Sequence, residues 1–319
     1  MKILVTGGAG YIGSHVVLVL CEQGYDVSVL DDLSTGNREA VDERADFILG
    51  STLNSDDLSK GLIGVEAVIH LAAFKAAGES MVDPGKYSHN NITGTINLLN
   101  AMNAQDVTKF VFSSTAAVYG FPQYLPLDEN HPLEPINYYG FTKLEIERIL
   151  KWYGELKGLK FAALRYFNAA GYDPRGRITS LENNPANLLP IVMEVASGKR
   201  RKMEVFGNDY DTKDGTGVRD YIHVSDLASA HVKALEYLAS NDSLTVNLAT
   251  GESHSVLDVI NLAKEVSGKE IPYEIVSRRP GDPAELYAGT NMAFEKLNWK
   301  AEYSDLRTLL ETTWKVYSR

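Results

Sequence analysis

The sequence predicts an α/β fold in which a doubly wound parallel sheet is followed by a smaller α/β subdomain. Three observations carry that prediction. Short apolar runs alternate with helical stretches of roughly 10 to 15 residues, several runs are apolar on both faces, and a glycine-rich turn joins the first run to the first helix. Strands buried on both sides belong to parallel sheets covered by helices on each face. At 319 residues and 44% hydrophobic, the chain can bury a substantial core.

The first strand is "KILVT" (residues 2–6), and "YIGSHVVLVLCEQ" after the glycine turn has helical apolar spacing that stops at Gly24. "DVSVLDD" (26–32) is the second strand, "DFIL" a weaker third and "EAVIHLAA" (66–73) a strong fourth. "NNITGTINLLNAMNA" reads as one helix, "KFVFSSTAAVYG" as a strand running into a loop, "LEIERILKWYGEL" as a helix and "FAALRYFN" as a further strand. In such a sheet, reactive groups gather at the carboxyl ends of the strands. Beyond Gly171 the chain is punctuated by Pro, Asn and Gly, in "GYDPRGRITSLENNPANLLP". That change sets a domain boundary, residues 1–172 and then 173–319, with segments such as 219–250 returning to the first domain.

The net charge of −11 argues against a nucleic-acid partner, which requires clustered lysine and arginine. An anionic small ligand would need a few arginines to hold it locally against that field. No run approaches the ~20 apolar residues of a membrane span, and "MKILVTGGAG" shows neither the apolar core nor the cleavage site of a leader, so no membrane partner is expected. The single cysteine, Cys21, precludes an internal disulfide and suits a reducing cytoplasm; inside its apolar helix it reads as a packed core thiol. His70 and His223 read as hydrogen-bonded structural residues, and the seven histidines show no metal-ligand spacing. "GKRRK" (198–202) reads as a solvated helix end.

"VTGGAGYIGSH" follows the first strand and opens the first helix, with glycines at 7, 8, 10 and 13. Glycines there allow a tight turn, backbone approach to a pyrophosphate and close helix-on-strand packing, while the helix N-terminus offers free N–H donors. Asp31 follows Gly13 by 18 residues, at the end of the second strand. A carboxylate at that point accepts from a ribose 2′-hydroxyl and repels a 2′-phosphate. The arrangement is a Rossmann-type dinucleotide site that prefers NAD to NADP.

"NYYGFTKLEIE" places two tyrosines before a lysine. Tyr139 and Lys143 are four apart and share a helix face; Tyr138 and Lys143, five apart, do not, so Tyr138 reads as packing at the start of the helix. A free phenol has a pKa near ~10, so it serves as a base at neutral pH only if positive charge stabilises its anion, as a lysine and an oxidised nicotinamide would. Ser113, Ser114 and Thr115 end the neighbouring apolar strand and offer a hydroxyl partner.

With these motifs, and with "HLAAFKAAGES", "NNITGT", "LRYFNAAG" and above all "VFGNDYDTKDGTGVRDYIHVSDLASAH", nearly the whole chain resembles the extended short-chain dehydrogenase/reductase superfamily. Within it the chain is similar to the family of UDP-glucose 4-epimerases. The resemblance implies that Tyr139 is the catalytic acid and base, that Lys143 grips the nicotinamide ribose and depresses the phenol's pKa, and that the Thr115 hydroxyl bonds the sugar O4. It implies that Gly7, Gly10, Tyr11, Ile12, Gly13, Asp31 and Ser34 line the adenosine and pyrophosphate of NAD, and that Leu71, Lys75, Asn90, Ser113 and Phe167 line the rest. Asn168, Asn187, Leu188, Arg219, Arg279 and Asp282 fall where the family holds its UDP-sugar, so residues 173–319 would be the nucleotide-sugar-binding subdomain. The two arginines would answer the charge problem, since guanidinium forks hold a diphosphate locally.

The implied activity is reversible inversion at C4 of a UDP-hexose through a 4-keto sugar, with bound NAD as catalyst. Ser51 stands where the family carries an Asp that binds the adenine amine, implying a weaker or rearranged grip there. Leu286, of intermediate bulk, stands where the family limits room beside the sugar's 2-substituent, which leaves UDP-N-acetylglucosamine open as a substrate; UDP-glucuronate is likewise open. A 4,6-dehydratase carries an Asp–Glu pair directly after the strand-end Thr, whereas here Ala116 and Ala117 follow Thr115. A catalytically silent NAD-binding regulator would have no use for Tyr139, Lys143 and Thr115 together. The resemblance also implies a homodimer, with "NNITGTINLLNAM" and "YYGFTKLEIERILKWY" as candidate contact helices.

Overall fold

Side chains of the first strand divide between two cores. In the computed structural model, which describes residues 1–182, 185–279 and 281–319, strand β1 (Lys2–Thr6) sends Ile3 and Val5 to one face and Leu4 to the other. Ile3 and Val5 meet Val16, Val17 and Leu20 of helix α1 (Tyr11–Glu22). Strand β2 (Asp26–Asp31) repeats the division, with Val27 and Val29 on the α1 side and Leu30 opposite. The strands β3 (Asp46–Leu49), β4 (Ala67–His70), β5 (Lys109–Thr115), β6 (Lys160–Tyr166) and β7 (Leu244–Leu248) complete the sheet. All neighbours run parallel, in the order β3-β2-β1-β4-β5-β6-β7. The order reverses between β1 and β4, so a crevice opens there at the carboxyl edge, the usual lodging of ligands in such sheets.

Helices α2 (Ser55–Gly61), α3 (Gly94–Ala104) and α4 (Tyr138–Lys157) cover the Leu4 face through Leu58, Leu98, Leu99, Ile146 and Leu150. Asn137 caps α4, its side chain accepting from Gly140 N at 2.8 Å, and Gly158 ends it in a left-handed turn. A second core lies beyond residue 170, where α5 (Leu188–Ala196) meets α7 (Val256–Ser267) and α8 (Leu306–Tyr317) through Leu189, Val192, Met193, Val259, Ile260, Leu309 and Leu310. Between these, α6 (Val224–Leu238) returns to the first sheet and buries Leu227, Ala228 and Leu235 in the α1-side core, followed directly by β7 against β6. Among the described residues no helix is long and apolar enough to cross a membrane.

Three elements differ from the sequence expectation. The single helix expected from residue 90 is divided: a wide π-turn (Ser88–Thr93) precedes α3. That turn carries buried Asn91, whose side chain binds both Phe74 N (2.9 Å) and Phe74 O (3.0 Å), a register demand of the kind that inserts π-bulges at functional sites. The fourth strand stops at His70 instead of reaching residue 73, because the chain leaves the ladder after Leu71 N donates to Thr6 O at 2.9 Å and passes over the glycine turn. The strand expected over 161–168 ends at Tyr166; Asn168–Ala170 is a separate strand that pairs with Tyr221–His223.

Candidate active site

The glycine turn is dictated by contact. Gly7 has a φ of 75°, and a Cβ on Gly13 would lie 2.1 Å from Gly7 O, so α1 starts flush against the end of β1. Gly10 occupies the N-cap without a side chain, which leaves the first-turn N–H groups of Tyr11, Ile12 and Gly13 facing the crevice. The Tyr11 hydroxyl donates to Gly171 O and ties this helix start to the chain beyond β6. Asp31 ends β2 and accepts from Ala9 N and Leu33 N, both at 2.9 Å. Burial raises its pKa while those two bonds lower it. Each carboxylate oxygen keeps a free lone pair, an acceptor set that suits a ribose hydroxyl and not a second phosphate. Gly50 N donates to Asp31 O at 3.1 Å, which brings the end of β3 alongside. Ser51 follows; its N–H donates to Asp57 Oδ2 at 3.0 Å, and its hydroxyl accepts from Leu53 N at 3.3 Å. Ser34 lies exposed after β2, with its N–H on Asp32 Oδ1.

Across the crevice, Leu71 leaves β4 half-buried, and Lys75 reaches Glu182 in an ion pair. Asn90 donates to Asn91 Oδ1 at 3.1 Å. Asn91, not singled out in the sequence, is the buried partner that fixes the backbone of Phe74; the asparagine doublet at the start of a helix was its only trace. Ser113 bonds the Tyr166 hydroxyl, another partner that periodicity does not mark. Phe167 is buried with Ala116, Val118, Leu144 and Ala249.

Tyr139 and Lys143 stand one turn apart on α4, facing the end of β5. The Tyr139 side chain lies near that of Thr115, whose oxygen accepts from Ala117 N at 3.2 Å. Lys143 Nζ lies 5.9 Å from the Tyr139 ring centre and donates to Ser113 O at 2.8 Å. Burial pushes the phenol up to about 12, with Thr115 pulling it down, and burial lowers the Lys143 amine to about 7. Desolvation of the phenol dominates, and the Lys143 amine is aimed at a backbone carbonyl. Tyr138 is turned away, its hydroxyl on Ser88 Oγ at 2.6 Å and its ring 5.3 Å from Phe141.

The other half of the crevice comes from the later segments. Asn168 donates its N–H and its side-chain amide to Asp220 O at 3.3 and 2.8 Å, and Asp220 N donates to Leu286 O at 3.2 Å. One strand junction thus places Asn168, Arg219 and Leu286 together. Leu286 is half-buried and packs on the apolar cluster that holds Ala116 and Phe167. Burial pushes the Asp220 carboxyl up to about 7 despite bonds from Thr250 and Gly251. Arg219 and Arg279 share the Asp282 carboxylate, which leaves the trio net positive in an acidic protein. Arg219 is fixed further by Val218 O (2.8 Å) and Pro283 O (2.8 Å), while Arg279 is largely exposed, 4.6 Å over Phe206. Asn187 and Leu188 open α5, and the Asn187 side chain makes no capping bond.

His70 bonds Thr6 and Thr95 and His223 bonds Ser225 N and Thr312; burial lowers both to about 3. Cys21 is buried, its thiol pushed up to about 11. The helix before residues 198–202 ends at Ala196, and Arg200 pairs with Glu194. Among the described residues no group of His, Cys, Asp and Glu could hold a metal ion.

Residues 3–249 match the NAD dependent epimerase/dehydratase family. A UDP-glucose 4-epimerase of Lacticaseibacillus casei is 47% identical over 317 residues, covering 98% of this chain and 96% of that protein. The crystal structure of UDP-glucose 4-epimerase from Brucella ovis in complex with NAD is 42% identical, with a TM-score of 0.97 over 99% of this chain and 98% of that one. The UDP-glucose 4-epimerase from Bifidobacterium longum, in complex with NAD+ and UDP, is 37% identical with a TM-score of 0.94, over 99% and 98%.

Proposed function

The chain belongs to the NAD dependent epimerase/dehydratase family, and we propose that it interconverts UDP-glucose and UDP-galactose by inverting C4 of the hexose with bound NAD. The observation that carries this reading is the Tyr139–Thr115 pair at the end of β5, with Lys143 one turn behind it and the glycine turn across the same crevice. The other chemistry in the family's description, dehydration, needs an acid and a base near C5 and C6. Ala116 and Ala117 follow Thr115 here and supply neither.

When bound, NAD would supply the hydride-accepting and hydride-donating chemistry at C4 of the sugar and positive charge beside the phenol. Thr115 orients O4 while Tyr139 takes its proton as the sugar is oxidised to the 4-keto form, and Tyr139 gives the proton back when the opposite face is reduced. Protonated Lys143 supports the phenolate through those steps. Arg219 and Arg279 hold the diphosphate, so the hexose turns over about that anchor. Gly7, Gly10, Tyr11, Ile12, Gly13, Asp31, Ser34 and Ser51 would hold the adenosine and pyrophosphate, and Leu71, Lys75, Asn90, Ser113, Lys143 and Phe167 the nicotinamide half. Asn168, Asn187, Leu188 and Asp282 would hold the uridine side, with Leu286 beside the hexose. Residues 1–172 would bind the cofactor and carry the reactive groups, and residues 173–319, together with Asn168, would bind the nucleotide sugar.

The reading includes a homodimer through α3 and α4, supported by the exposed Phe141, Trp152 and Leu156 along α4, and a cytoplasmic location, supported by the lone thiol of Cys21. Purified protein given UDP-galactose and no added NAD should form UDP-glucose on cofactor that copurifies. No conversion, with or without added NAD, would refute the assignment.

A further inference from the structure

One turn below the reactive pair, α4 carries a third polar side chain on the same face. Tyr139, Lys143 and Glu147 follow at steps of four residues and stack along the helix. Glu147 is 2% exposed and points into the sheet. Its carboxylate holds Arg165 as a fork, Oε1 accepting from Nε at 2.9 Å and Oε2 from Nη2 at 2.6 Å. Oε1 also accepts from Ser114 Oγ at 2.5 Å. Arg165, 3% exposed, donates onward from Nη1 to the Tyr119 hydroxyl (3.1 Å), which donates to Asn247 Oδ1 (2.6 Å). Ser114, Arg165 and Asn247 are register neighbours on β5, β6 and β7. The helix that bears Tyr139 is therefore fastened through one carboxylate to a polar row crossing three strands.

Burial alone gives no reason for charge at this point. Leu144, Ile146 and Leu150 already bury this side of α4, and a buried ion pair stabilises weakly because desolvation of both charges offsets their attraction. What a bidentate, fully enclosed pair does supply is direction. Its strand-side contact, Ser114, lies between the two residues that meet the reactive pair: Ser113, whose carbonyl takes Lys143, and Thr115, which lies near Tyr139.

We propose that Glu147 and Arg165 are positioning residues that set the rotation and axial register of α4 against the carboxyl end of β5, and so the placement of Tyr139 relative to Thr115 and the sugar O4. The proposal rests on the assignment of Tyr139 above. A misplacement of about 1 Å is enough to cost roughly 100-fold in rate.

The test replaces both charges at once, E147M/R165M, because removing one would leave the other buried and unpaired. The double variant should unfold at or above the wild-type temperature, retain NAD and keep its KM for UDP-galactose within about twofold, while kcat falls roughly 10- to 100-fold. A folded double variant with wild-type kcat, or one whose loss lies in KM, would overturn the proposal and leave the pair a structural element only. Should the double variant not accumulate folded, Ser114→Ala decides: kcat reduced about threefold or more at unchanged KM supports positioning, and wild-type kcat overturns it. Wild-type protein that fails to convert UDP-galactose would refute the parent reading itself, an outcome distinct from either variant result.

Discussion

At the scale of single residues, burial decides what each group can do. Tyr139 is held near 12 and Lys143 near 7, so neither is primed alone, and the phenol depends on charge brought to it. Tyr139→Phe should lower kcat by roughly 10²- to 10⁴-fold, the scale of a lost acid–base group, while NAD stays bound; near-wild-type turnover in that variant would remove Tyr139 from the chemistry. Leu286 lies on the apolar cluster of Ala116 and Phe167. Leu286→Ala should raise turnover of UDP-N-acetylglucosamine relative to UDP-glucose, by roughly 10-fold on the scale of a few methylene groups, and an unchanged ratio would show that another wall sets the limit. The choice of Tyr139 over Tyr138 was legible because four-residue spacing on a helix is geometry that any sequence displays. Asn91 and Tyr166 were not legible, since each acts through a partner 17 or 53 residues away whose position only the folded chain defines.

At the scale of elements, the alternation of apolar runs and helices was readable because each strand must feed two cores, as Ile3 and Leu4 do in opposite directions. Where side-chain bonding to a distant backbone overrides periodicity, the reading stops: the π-turn at Ser88–Thr93 answers to Phe74, and the early end of β4 answers to the glycine turn. The start of α4 is set by a similar close approach, since a Cβ on Gly140 would lie 2.5 Å from Ala117 O. Gly140→Ala should destabilise the protein by about 1–3 kcal/mol from overpacking, less up to ~1 kcal/mol gained in helix propensity. It should also lower kcat by parting Tyr139 from Thr115. Thermal unfolding and steady-state rates check this, and a variant as stable and active as wild type would show that the Ala117 loop yields freely.

At the scale of the molecule, the chain makes a dinucleotide crevice from its first part and closes it with segments that return from the second. The net charge of −11 foretold that any anionic ligand would need local cations, and Arg219 and Arg279 around Asp282 are such a group. Which segments return, and that Asp220 joins Asn168 to Leu286, follows from tertiary pairing that composition does not encode. In the proposed reaction one hydride leaves C4 of the sugar and comes back to it, with Tyr139 moving only the proton on O4. UDP-galactose carrying deuterium at C4 tests this most directly, with the product analysed by mass spectrometry and NMR. UDP-glucose should keep its deuterium at C4 in ordinary water; loss of the label to solvent would rule out a hydride that returns to the carbon it left.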